Sequence, residues 1–203
     1  METIHRTQTN FRKILHAMSY PGELTTLTPP DHYAKLFNQD VSLPVPAAYA
    51  VLEVVLDGEV HFMTYPQTPI FEQELRMYTN AKLTSEASQA DYLYVATQDL
   101  DTPDTKRILS QVKTGDLEDP QLSTTLIMQV DNLQAGPVNA SLSGPGIKET
   151  RQVYLPLSQD FLHWRQVTNQ EFPLGVDLIL VDANNQCLAL PRTSHIVCQK
   201  GGQ

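Results

Sequence analysis

The segment Val176-Asp177-Leu178-Ile179-Leu180-Val181 is the strongest constraint on the fold, because five of its six residues are apolar. A strand with one wet face alternates apolar and polar residues. A nearly continuous apolar run reads as a strand covered on both faces. A sheet that holds such a strand needs packing on each side, which points to a layered α/β domain.

The remaining periodicities supply those layers. Phe11, Ile14, Leu15 and Met18 recur at the spacing of one helical face behind Asn10, a fair N-cap, while Arg12, Lys13 and His16 fall on the other side. Tyr20-Pro21-Gly22 stops this helix, since a residue before proline avoids α geometry and glycine accepts the turn. Residues 24–27 read as a short strand. Residues 45–56 are compatible with a helix entered at Pro46, or with a hairpin through Asp57-Gly58; the long alanine-rich run favours a helix followed by a strand at 60–64. Helices are expected at 70–78, 105–112 and 158–167, the first ending at Arg76 and a left-handed Asn80, the last bringing Phe161, Leu162 and Arg165 near one another. Strands are expected at 92–96, 124–130, 140–142, 176–181, 187–190 and 194–197, with Asn184-Asn185 as the turn before Cys187. The early strands follow helices and the last pair reads as an antiparallel hairpin, so the sheet should be mixed.

A chain of 203 residues suits one α/β domain. It can bury roughly 70% of the surface its unfolded form exposes, so it needs no metal or disulfide staple. The expected unit is a single domain over residues 1–203, ordered from about 9 to 198, with frayed tails at 1–8 and 199–203. The net charge of −9 argues against nucleic acid, whose phosphates are neutralised by a surplus of Lys and Arg. No stretch approaches the ~20 apolar residues of a membrane span. The start Met-Glu-Thr-Ile-His-Arg lacks the apolar core of a secretory leader, and only Cys187 and Cys198 occur, so the expected location is cytoplasmic.

Chemistry-bearing residues are few. Pro191-Arg192-Thr193-Ser194-His195 is a polar island in the apolar C-terminal segment. Arg192 could grip a phosphonate or phosphate through its planar fork, helped by Thr193 and His195. The reading favoured over this one is a structural pair with a buried carboxylate such as Asp177, since a charge in a buried strand needs a partner. Gly144 and Gly146 flank Pro145 in a turn whose N–H groups could cradle a phosphate, although proline supplies none and a tight turn explains the glycines as well. His195 and Cys198 stand three apart on a strand and so face opposite ways, which argues against a shared metal. Ser143 does not fit a nucleophile elbow, and Glu72 and Glu74 point in different directions on their helix.

Five segments read together resemble a known family. They are Phe11-Arg12-Lys13-Ile14-Leu15-His16-Ala17-Met18-Ser19-Tyr20-Pro21-Gly22, Arg76-Met77-Tyr78-Thr79-Asn80-Ala81, Leu142-Ser143-Gly144-Pro145-Gly146-Ile147, Phe172-Pro173-Leu174-Gly175-Val176-Asp177-Leu178-Ile179-Leu180 and Leu190-Pro191-Arg192-Thr193-Ser194-His195. In order and spacing they resemble PhnH, the H-subunit family of the bacterial carbon–phosphorus lyase system. The loops at 115–120 and 182–186 depart from that pattern. The resemblance implies a three-layer α/β domain with a mixed sheet flanked by helices, similar to pyridoxal-phosphate-dependent transferases but without the cofactor site. No lysine lies in an apolar strand to form a Schiff base; Lys82 and Lys148, after turns, are the nearest candidates. The resemblance further implies a subunit that pairs with itself when alone and, in the complex, with the G subunit and then the nucleosidase and radical-SAM subunits. It implies that, with those partners, the chain supports transfer of ribose triphosphate from ATP to a phosphonate, without catalysis of its own. A small-ligand site around residues 192–195 is the alternative.

Overall fold

The structure, a computed structural model, describes residues 2–40, 42–96, 98 and 100–198. Its centre is a seven-stranded mixed sheet in the order β1-β9-β8-β5-β4-β2-β3. The parallel members are β2 (His61–Tyr65), β3 (Lys82–Leu83), β4 (Tyr92–Ala96), β5 (Thr125–Gln129) and β8 (Asp177–Val181). The strand β9 (Gln186–Leu190) runs antiparallel to β8 and carries β1 (Thr25–Thr26) at the edge.

Strand alternation divides the core in two. Leu93, Val95, Leu126, Met128, Leu178, Leu180, Leu188 and Leu190 face one side, while Tyr94, Ile127, Ile179, Val181, Cys187 and Ala189 face the other. The second side is covered by α1 (Glu2–Ser19), α2 (Asp31–Gln39), α3 (Pro46–Val55) and α4 (Pro69–Thr79). The first is covered by α5 (Pro103–Leu109), α6 (Gln159–Thr168) and a separate antiparallel sheet. That sheet has the order β10-β6-β7, built from β6 (Val138–Ser143), β7 (Arg151–Leu155) and β10 (His195–Cys198). Its middle strand alternates as the packing demands: Val138, Ala140 and Leu142 go inward, and Asn139, Ser141 and Ser143 do not.

The run through residue 181 is thus covered on both faces, as its composition requires, within a mixed sheet flanked by helices. Residues 46–55 form a helix, not a hairpin, and seven of its ten residues are buried. Other details depart from the sequence expectations. The second sheet was not foreseen, because its members are short and only half apolar. Residues 2–8 are not a frayed tail: they form the first turns of α1, where Arg6 donates to Glu53 of α3 at 2.6 Å. Residues 1 and 199–203 lie outside the described residues. Asn10 is not an N-cap but a buried mid-helix residue. Its amide donates to the Thr28 carbonyl at 2.8 Å and accepts from the Thr28 N–H at 2.9 Å, tying α1 to the end of β1. With Asn10, Ile14 and Ala17 turned inward, Phe11 and Leu15 are turned outward, each more than half exposed.

Candidate functional site

Four of the five segments that carry the family resemblance meet at one end of the second sheet. Gly146 packs on the carbonyl of Ser19, where an added Cβ would come within 2.0 Å of that oxygen, and its φ of +80° also excludes most side chains. Gly144, at φ +130°, lies against the Thr193 carbonyl, 2.7 Å from where a Cβ would stand. These two glycines therefore join the turn after β6 to the end of α1 and to the polar island. Arg151 of β7 closes the same corner, donating to the Pro21 carbonyl at 2.8 Å and to Glu23 at 2.6 Å.

The polar island is an ordered knot. Arg192 donates to Asp177 through Nη2 at 2.5 Å and Nε at 3.2 Å, and its Nη1 donates to the Pro120 carbonyl at 2.6 Å. The other Asp177 oxygen accepts from the Arg192 backbone N–H at 2.7 Å. The fork thereby fastens the start of β8, the loop before β5 and the segment before β10. Thr193 contributes its carbonyl to the contact with Gly144, while His195 is exposed at the head of β10. Among the described residues no cluster of His, Cys, Asp and Glu could hold a metal ion. Cys187 is buried on β9 in the central sheet, with its thiol pKa pushed up to about 12 by that burial, and Cys198 is exposed at the far end of β10. Lys82 and Lys148 are both exposed.

The sequence spacing brings Arg165 near Phe161 and Leu162 on its helix but does not disclose its role. It is only 2% exposed, at the C-terminal turn of α6, where the helix dipole favours a cation. Its Nη2 donates to the carbonyls of Leu190 at 3.0 Å and Pro191 at 2.7 Å, and its Nη1 reaches the Ser194 carbonyl at 3.4 Å. Among the described residues it makes no ion pair, and burial lowers its pKa to about 10 against an opposing pull from Asp177. Asn169, one turn further on, exchanges two hydrogen bonds with Val176, at 3.0 and 2.9 Å. Between α6 and β10 the knot encloses a cavity of about 170 Å³, whose polar wall is Arg165, Gln166, Asn169, Arg192, Ser194 and His195. On the other flank of α6, Leu100, Leu109, Phe161, Trp164 and Val167 line a wider apolar groove of about 510 Å³.

The family described as bacterial phosphonate metabolism protein (PhnH) matches residues 1–197. The chain belongs to the PhnH family. A relative from Stutzerimonas stutzeri named "Putative C-P lyase subunit protein HtxG" is 31% identical over 194 residues, which cover 94% of this chain and 86% of the relative. The segments that converge on the knot are thus the ones that carried the PhnH resemblance in the sequence. No helix among the described residues of this PhnH-family chain is long and apolar enough to cross a membrane.

Proposed function

We propose that the chain is a docking subunit of a carbon–phosphorus lyase complex in phosphonate catabolism. With its partner subunits it supports the transfer of ribose triphosphate from ATP to a phosphonate, and it does not catalyse this step by itself. Family membership supports the metabolic setting, and the relative's printed name supports the subunit role. The observation that carries the docking role is the outer face of α1. Ile4, Phe11 and Leu15 recur at i, i+7 and i+11, so they share one face, and they are 62%, 54% and 53% exposed. Tyr20 and Leu24, just past the helix, are exposed as well. Aromatic and large aliphatic side chains grouped on one exposed helix face mark an interaction surface, and stable interfaces bury ~800 Å² per partner. In this reading the G subunit is the first partner to cover α1, with a second copy of the chain covering it when the protein is alone.

Reconstitution tests the functional half. Partner subunits incubated with ATP and methylphosphonate should release adenine when this chain is present, and the chain by itself should release none. Release by the partners at the same rate without the chain would contradict the proposal.

A further inference from the structure

We infer that the cavity between α6 and β10 is a binding site for one compact tetrahedral oxyanion, a phosphate or phosphonate group. The argument begins with charge. The polar wall contains two guanidinium groups, an imidazole, two amides and a hydroxyl, and no carboxylate. In a chain with a net charge of −9, a cavity without a single acidic residue in its wall is conspicuously cationic. Asp177 neutralises Arg192 from outside that wall, through both a side-chain and a backbone contact. Arg165 has no hydrogen-bonded carboxylate among the described residues, and Asp177, which is committed to Arg192, acts on it only through its field.

Donor capacity points the same way. A guanidinium has five N–H donors. Arg165 directs three hydrogen bonds to backbone carbonyls, the one from Nη1 being long at 3.4 Å. Its Nε and the hydroxyl of Ser194 are both buried without a hydrogen-bond partner, and both residues belong to the cavity wall. A buried, charged donor left unmatched is costly, so such groups ordinarily have an acceptor. Carbonyl oxygens offer partial charge only; an oxyanion would supply full negative charge together with the acceptors that Arg165 Nε and the Ser194 hydroxyl lack. Gln166 and His195, exposed at the rim, stand where they can add donors to the same ligand.

Size limits the ligand. Pockets for whole drug-sized or nucleotide-sized molecules run to ~300–1,000 Å³. A cavity of about 170 Å³ takes a head group and excludes a nucleoside. The site thus goes beyond the docking role: it would hold the phosphorus group of a small metabolite, or of a larger one whose remainder stays outside.

The test is calorimetric titration of the full-length chain with inorganic phosphate and, separately, with methylphosphonate, in a buffer free of other oxyanions. Saturable binding at one site is expected for at least one of them, and the tighter of the two tells a free phosphate from a phosphonate head group. Arg165→Met risks unfolding, because Arg165 also holds three carbonyls. The decisive variant is therefore Gln166→Glu at the exposed rim, which puts a carboxylate beside the cavity and leaves the knot intact. It should weaken binding at least tenfold with no fall in melting temperature. No saturable binding of either anion to the folded wild type at millimolar concentration would overturn the site, as would binding that Gln166→Glu leaves unchanged. Neither result bears on adenine release by the reconstituted complex, so the two proposals stand or fall separately.

Discussion

Asp177 and Arg192 operate as one unit, since each is largely buried and supplies the other's counter-charge. Removing one partner leaves a desolvated charge, which costs more than the pair contributes. Arg192→Ala should therefore destabilise the chain by about 3 kcal/mol in urea denaturation. Arg192→Lys should recover little, because a point charge cannot bridge Asp177 and the Pro120 carbonyl together. A second residue sets an acid limit. Burial alone would raise the Asp91 carboxyl pKa, but the His61 backbone N–H and the bonded Lys113 ammonium outweigh it and hold the carboxyl below its ordinary value. A depressed folded-state pKa gives stability that is present above the unfolded value and lost as pH falls through the folded one. Melting curves taken down to about pH 3 should fall less steeply for Asp91→Asn than for the wild type. The pairing of Arg192 with a carboxylate was readable in the sequence, because a charge among apolar strand residues demands a partner. The role of Arg165 was not. Spacing put it beside Phe161 and Leu162, but its partners are main-chain carbonyls of residues 190–194, and backbone acceptors leave no mark on composition.

At the scale of elements, α1 shows how one helix can serve two surfaces. Asn10, Ile14 and Ala17 seat it on the protein, and Phe11 and Leu15 face outward from the adjoining stripe. The sequence shows one broad apolar face and cannot say which half is covered from within, so Asn10 reads as a cap when it is in fact a clamp. Asn10→Ala would strand the N–H and carbonyl of Thr28, and should cost about 2 kcal/mol in equilibrium unfolding. The helix α2 has no counterpart in the sequence expectations although Tyr33, Leu36 and Phe37 have helical spacing: it is short, and Pro30 at its N-cap offers no side-chain capping bond to mark its start. The strand β7 was missed for a different reason: only Val153 and Leu155 point inward, too short an alternation to stand out. Long or alanine-rich segments such as 46–55, and continuous apolar ones such as 177–181, were legible because their burial is nearly complete.

Over the whole molecule, the two apolar cores share one sheet, and the helices on its two sides face different neighbours. The α1–α4 side presents an uncovered apolar stripe, whereas the α5–α6 side carries the knot and its cationic cavity. Such a division suits a component held beside other subunits, with α1 as the contact. The mixed sheet followed from the pattern of strands and helices. The stripe did not, because exposure is a property of packing and sequence gives only hydrophobicity. The most direct test is size-exclusion chromatography with light scattering on the chain co-expressed with the other carbon–phosphorus lyase subunits, beside a Phe11→Ser/Leu15→Ser variant. Both positions are exposed, so the variant should keep its stability to within ~0.5 kcal/mol. The wild type should elute in stoichiometric complex with its partners and the folded variant should elute free of them. A wild type that elutes without partners, or a variant that stays in the complex undiminished, would contradict docking through α1.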